Sequence, residues 1–188
     1  MGQAKAPAQF RLKVELDPQP EDLEALEKWP RAPLLPDIAT VAAGWIALEL
    51  DGRPILYQDG KLVPPLALEG VPGDPLNVQA ARIGDYVIIF LQRLLDATHN
   101  LSDGQAHRAE FGDSSACLWL QQHNGTVRVS YREHADGADA AIAHPNEQAF
   151  LAAVKEAAAH YLEELYTINA ALREHPDIAA IRDTLRHL

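Results

Sequence analysis

The sequence predicts an α+β domain: a mainly antiparallel sheet built from hairpins, packed against a central helix and two C-terminal helices. Three observations carry this. Apolar and polar residues alternate in several short runs before residue 135, the period of a half-buried strand. Asp-Gly and Asn-Gly pairs separate those runs, and glycine accepts the positive φ that tight hairpins need. From residue 146 onward the apolar spacing changes to three and four, which gathers side chains on one helical face. One domain is therefore expected over residues 1–188, strand-rich over 10–135 and helical over 146–188.

The first run sets Phe10, Leu12, Val14 and Leu16 against Arg11, Lys13 and Glu15, a strand with one apolar and one wet face. Asp17-Pro18-Gln19-Pro20 stops it, because proline removes a backbone donor and fixes φ. Pro20-Glu21-Asp22 opens a short helix, with proline in the first turn and acids at the positive dipole end. Leu23, Leu26 and Trp29 form its buried side. Pro30, Pro33 and Pro36 then make an extended connector. Ile46, Leu48 and Leu50 begin a meander that turns at Asp51-Gly52 and again at Asp59-Gly60. Residues 64–75 hold four prolines and two glycines and read as a long loop.

Asp85 is the expected N-cap of a helix running to about Thr98. Val87, Ile88, Ile89, Phe90, Leu91, Leu94 and Leu95 lie almost all round it, so this helix belongs at the centre. Residues 100–105 form a turn, and 109–111 add a short strand. Residues 116–122 and 126–132 flank Asn124-Gly125, the preferred type I′ pair. Val127, Val129 and Tyr131 face one way; Arg128, Ser130 and Arg132 face the other. The first arm is apolar on both faces and is expected mid-sheet, covered on both sides. Leu151, Val154, Ala158, Tyr161, Leu165, Ile168 and Leu172 form the stripe of a long helix over 146–173. Pro176 breaks it, and a last helix carries Ile178, Ile181, Leu185 and Leu188. The stripe is expected to pack on the sheet; a homodimer seam along 151–172 is the alternative.

Lys plus Arg number 16 against 27 Asp plus Glu, a net charge of -11. A nucleic-acid partner is not expected, because affinity for phosphates comes from basic residues. The acidic excess is spread along the chain, which suits a solubilising surface or one that steers a basic partner. A 47% hydrophobic and 23% charged composition excludes disordered, collagen-like and membrane classes. The most apolar stretch, 86–91, is far short of the roughly 20 residues that cross a bilayer. The first nine residues have no apolar run of the signal-peptide kind, so a cytoplasmic location is expected. A single cysteine forms no internal disulfide.

No GxGxxG, GxxxxGK[ST], HExxH, GxSxG or CxxC motif occurs. No two of the eight histidines stand three or four apart, the spacing at which they would share a helical face. His134, Asp136, Asp139 and His144 share one loop, which reads as solvated, and neither metal nor cofactor is expected. Cys117 falls within an apolar strand and reads as core. Ser114 and Ser115, after Asp113, read as strand-end residues. Arg128 and Arg132 lie about 14 Å apart at most along one strand face, with Ser130 between them. They can grip a carboxylate or phosphate, or pair with acids nearby; pairing is the expected role.

Residues 111–115 (Phe-Gly-Asp-Ser-Ser), Cys117-Leu118-Trp119-Leu120, Asn124-Gly125 and the strand 127–131, with the earlier 45–52, resemble small bacterial immunity proteins. Those belong to polymorphic and contact-dependent toxin systems. The resemblance spans about 45–135 and implies a non-enzymatic cytoplasmic protein that binds one cognate toxin and occludes its active site. It implies no catalytic residues. The leading expectation is thus an immunity-type inhibitor of a protein partner such as a basic toxin domain. Asp59, Glu69, Asp74, Arg128 and Arg132 are its candidate contacts. The alternative is a small enzyme or ligand-binding domain with a pocket between the sheet and the C-terminal helices, using His107, Glu110, Asp113 or the two arginines.

Overall fold

Strand β1 (Phe10–Leu16) pairs antiparallel with β2 (Gly44–Leu50) along its whole length in the computed structural model. The structure describes residues 10–31, 37–51, 53–55, 57–58, 61–62, 83–112 and 115–188. On the other side of β2, β3 (Arg53–Ile55) pairs with Leu48–Leu50, and β6 (Ile83–Asp85) with Gly44–Ile46. β4 (Tyr57–Gln58) and β5 (Lys61–Leu62) make a separate minimal hairpin. A second antiparallel sheet has the order β10-β9-β8-β7, with β7 at Ala106–Glu110, β8 at Cys117–His123, β9 at Thr126–Arg132 and β10 at Ala141–Ala143. The expected α+β class and hairpin-built sheets are therefore observed. Asn124 and Gly125 both have positive φ (50° and 76°), as a type I′ turn requires.

Among the described residues there are five α-helices: α1 (Pro20–Lys28), α2 (Ile38–Val41), α3 (Val87–His99), α4 (Glu147–Ile168) and α5 (Pro176–His187). α3 is central. Val87, Ile88, Phe90, Leu91, Leu94 and Leu95 are all buried, whereas Ile89 is only partly buried and lies with Gln92, Arg93, Asp96 and His99 on an outer face, so the helix is not enclosed all round as expected. It packs against β7 and α5, and Phe90 stacks on Phe111 at 4.7 Å between centroids. Phe111 in turn meets Tyr131 of β9 edge-on at 6.1 Å. Val127, Val129 and Tyr131 are fully buried on the inner face, as the alternation predicts. Cys117 and Leu118 are both buried on β8, which lies mid-sheet between β7 and β9.

Several expectations need correction. Asp85 is the last residue of β6 rather than a helix cap; the residue in the cap position of α3 is Tyr86, which makes no side-chain cap bond. Asp85 instead accepts from the backbone N–H groups of Tyr86 (2.7 Å) and Gly112 (2.8 Å), tying the two sheets together. The long helix ends at Ile168 and not at 173, because Asn169 adopts an extended backbone and a 3-10 turn, Ala170–Glu174, follows. The short strand runs over Ala106–Glu110 rather than 109–111. Helix α2 and strands β6 and β10 were not anticipated; β10 lies in what the sequence read as one loop from His134 to His144. The 64–75 loop and the Asp59-Gly60 turn lie outside the described residues.

The stripe on α4 packs within the chain. Val154, Ala158, Tyr161 and Leu165 are buried, and the Tyr161 hydroxyl donates to the Ala42 carbonyl. Leu151 and Ile168, at the two ends of the stripe, are only partly buried. Asn169 closes the helical layer. Its amide donates to the carbonyls of Leu26 (2.9 Å) and Trp29 (2.5 Å), and its carbonyl oxygen accepts from Ala171 N–H (3.0 Å). These bonds hold the end of α1 to the junction of α4 and α5. Asn169→Ala is expected to destabilise the protein by about 2–3 kcal/mol, since two carbonyls and a turn N–H lose a partner together. Urea unfolding with an unchanged m-value checks this.

Candidate functional site

Among the described residues β1 is the terminal strand of its sheet, and its hydrogen bonding follows from two bonds. Asp17 N–H donates to Ala43 O at 3.1 Å, continuing the register of β1 on β2. In an antiparallel ladder bonded and non-bonded pairs alternate. Glu15, Lys13 and Arg11 therefore bond β2, while Leu16, Val14 and Leu12 point their N–H and C=O groups away from it. The Leu16 N–H confirms the direction, for it donates to Glu164 Oε2 of α4 at 2.9 Å. Among the described residues nothing accepts from or donates to the outward groups of Leu12 and Val14.

Helix α4 runs alongside this open edge. Phe10 meets Phe150 at one end (4.8 Å between centroids) and Leu16 meets Glu164 at the other. The match is geometric: fourteen helical residues rise about 21 Å, and six strand residues about 20 Å. A helix spends its own backbone groups internally, so α4 can satisfy the edge only through a side chain, and only Glu164 does so. Between them lies an open groove of about 750 Å³. Its β1 wall is formed by the consecutive residues 10–14. A sheet face presents alternate residues, so a consecutive run means that the strand edge lines the groove. The α4 wall is made of the small Ala153 and Ala157, with Glu156, His160 and Glu163 at the rim. Glu156 and Glu163 make no ion pair among the described residues. Arg11 pairs with Glu49 (3.2 Å) and Lys13 with Glu15 (2.5 Å) on the wet face.

The residues singled out from the sequence lie elsewhere. Arg128 and Arg132 converge on one carboxylate, Asp139: Arg128 Nη2 donates to Oδ2 at 2.5 Å and Arg132 Nε to Oδ1 at 2.6 Å. Pairing is thus their observed role, with a partner in the loop before β10. Arg132 also lies over the Trp119 ring at 4.8 Å. Asp59, Glu69, Asp74, Asp113 and Ser114 lie outside the described residues. His107 is bonded to Asp103 (2.8 Å), and Glu110 is paired with Arg108 (2.7 Å) and Arg93 (3.5 Å). His134 Nδ1 meets Ser115 Oγ at 2.7 Å while Asp139 serves the arginines, so the loop residues considered for a cation are dispersed. Cys117 is buried, and burial pushes its thiol up against the pull of Arg108 and Arg132. That is the reverse of an activated nucleophile.

The groove lies between the edge of a sheet and a C-terminal helix, and of the described residues expected at a pocket there, His107, Glu110, Arg128 and Arg132, none lines it. Alternation in 10–16 was legible; that β1 would end its sheet was not. No helix among the described residues is long and apolar enough to cross a membrane. Comparison with protein-family models, curated proteins and solved structures yields no match.

The Asp139 cluster carries a pH signature. Burial raises the Asp139 carboxyl, but hydrogen bonds from Arg132 and Arg128 outweigh it and hold the group below the usual carboxylate value. A depressed folded value means stability that is complete above the ordinary carboxylate range and lost as pH falls through the folded value. Asp139→Asn is expected to cost about 2 kcal/mol at neutral pH, with the difference from the parent shrinking below about pH 4. Urea unfolding of both proteins at neutral and acid pH measures it.

Proposed function

We propose that this chain is a non-enzymatic protein-interaction module that receives an extended segment of its partner as an added strand on β1. The single observation that carries this is the outward backbone of the half-buried Leu12, which no described residue bonds, on the wall of an open groove beside α4. Only another extended backbone offers donors and acceptors at that spacing, and strand addition between an edge and a helix is an established mode of peptide recognition. Main-chain bonds give affinity without choosing a sequence. The choice falls to Glu156 and Glu163 at the rim, which favour basic side chains on the incoming segment.

The cellular role this supports is the immunity-type one: a cytoplasmic inhibitor that docks on a basic toxin domain and covers its active site. The net charge of -11 agrees with such a partner by steering it at long range. The groups considered for an enzyme are each engaged in structural pairs or lie outside the described residues. The groove therefore favours binding over catalysis.

Free and bound protein distinguish the reading. Hydrogen exchange in the free protein is expected to be fast at Leu12 and slow at Arg11, Lys13, Val14 and Glu15, since Val14 is buried. A ten-residue peptide of alternating Lys and Thr is expected to protect the Leu12 amide and shift its resonance. Leu12→Pro removes one outward donor without touching the ladder to β2 and is expected to weaken binding at least about tenfold, some 1.4 kcal/mol. Glu156→Lys combined with Glu163→Lys tests the rim in an unaltered backbone and is expected to do the same. Equal binding by both variants, or shifts confined to other surfaces, would sink the proposal.

A further inference from the structure

A second recess, of about 440 Å³, lies where α4, the 170–174 turn and α5 meet. Its apolar walls are Leu162 and Leu185, and its polar lining holds Tyr166, Arg173, Arg182 and Arg186. Beyond residue 145 the chain has four basic residues, Lys155 and these three arginines. Three of the four therefore converge on one recess in a strongly acidic protein.

Their internal pairing leaves charge over. Arg182 Nε and Arg186 Nη1 share a single carboxylate oxygen, Asp183 Oδ1, each at 3.2 Å. Arg182 Nη1 also donates to the Arg173 carbonyl at 3.0 Å, which fixes its fork. Arg173 lies over the Tyr166 ring at 4.6 Å and has no carboxylate partner among the described residues. Glu163 at the mouth offsets part of the surplus. The Tyr166 hydroxyl is buried and has no hydrogen-bond partner. Buried polar groups are almost always bonded, so an orphan donor beside a recess points to a ligand atom. Burial raises the Tyr166 phenol, while Arg182 and Arg173 act against that rise, so the guanidinium charges bear on this hydroxyl.

We propose that this recess binds a small organic phosphate, its oxyanion held by Arg173, Arg182 and Arg186 with the Tyr166 hydroxyl as a further donor. The apolar part of the molecule lies against Leu162 and Leu185. Guanidinium forks match a tetrahedral oxyanion by paired N–H bonds, which ammonium groups do not. The volume falls within the range of small-molecule pockets, roughly 300–1,000 Å³, and exceeds what phosphate alone would fill. This site stands independently of the β1 groove, so the failure of one reading leaves the other intact.

The probes are inorganic phosphate and phenyl phosphate, titrated into the whole chain at constant ionic strength with chloride as the balancing salt. The arginine Nε–H resonances and the Tyr166 ring protons report on the site. Saturable shifts are expected with inorganic phosphate in about the millimolar range, and roughly tenfold tighter with phenyl phosphate through its buried ring. Arg173→Gln is expected to weaken both at least about tenfold. Tyr166→Phe keeps the ring under Arg173 and so preserves the fold; it is expected to weaken both by roughly threefold to tenfold. Shifts that never saturate, or affinity unchanged in Arg173→Gln and Tyr166→Phe alike, overturn the site. Phenyl phosphate binding no tighter than inorganic phosphate overturns the assignment of an organic ligand.

Discussion

The burial of the broad apolar face of α3 is the constraint from which the rest of the molecule follows. That face takes in Val87, Ile88, Phe90, Leu91, Leu94 and Leu95, and leaves only the Gln92, Arg93, Asp96 and His99 side to water, so other elements must enclose the rest. The second sheet covers one side through Phe111 and Tyr131, α5 another, and β2 and α4 lie against it too. Six fully buried side chains at about 1.5–3 kcal/mol each make this a large contribution to the fold, as an upper estimate. Enclosure also fixes where α4 lies. Its buried stripe is committed to the core, and its flank comes to rest along the edge of β1.

Once α4 is placed there, the account of backbone hydrogen bonds explains what remains open. Helices are closed systems along their length and sheets are closed except at their edges. The structure closes its loose ends with individual side chains. Asp85 takes two N–H groups at the junction of the sheets, Asn169 takes two carbonyls between α1 and the end of α4, and Glu164 takes the Leu16 N–H. Leu12, on the wall of the groove, has no such partner among the described residues. Its openness is a local exception in a framework that elsewhere attends to its termini, and exceptions of that kind are where function is sought.

How much of this was legible in the sequence depends on the range of the interaction. Period-two alternation in 10–16 and in 126–132, the Asn124-Gly125 turn and the spacing of Val154, Ala158, Tyr161 and Leu165 are local signals, and each matched its element. Asp85 misled because a side chain that caps a helix and one that caps a strand look alike from sequence; the Gly112 N–H that decides it is 27 residues away. Asn169 ended α4 early for a similar reason, since its partners lie about 140 residues upstream. Arg128 and Arg132 were correctly put on one face, but the carboxylate between them sits in a loop whose path no periodicity describes. The edge of β1 was hidden most deeply. A half-buried strand in mid-sheet and one at the rim have the same alternation, and only the neighbours tell them apart.

The parallel run of α4 and β1 also bears on how an added strand would be read. Residues on one face of a strand recur about every 6.6 Å, and successive turns of a helix about every 5.4 Å. Over the short length of the groove these repeats stay nearly in step, so Glu156, His160 and Glu163 stand opposite alternate residues of any segment laid on β1. Main-chain pairing thus sets the position of the segment, and consecutive turns of α4 sample its side chains. Arg11 and Lys13 are tied to Glu49 and Glu15 on the wet face, which leaves the acidic rim to set the sign of the selection. A basic segment would gain at the two glutamate turns, where an acidic one would be opposed. Specificity of this kind needs no deep pocket, only an edge held open beside a helix that cannot itself close it.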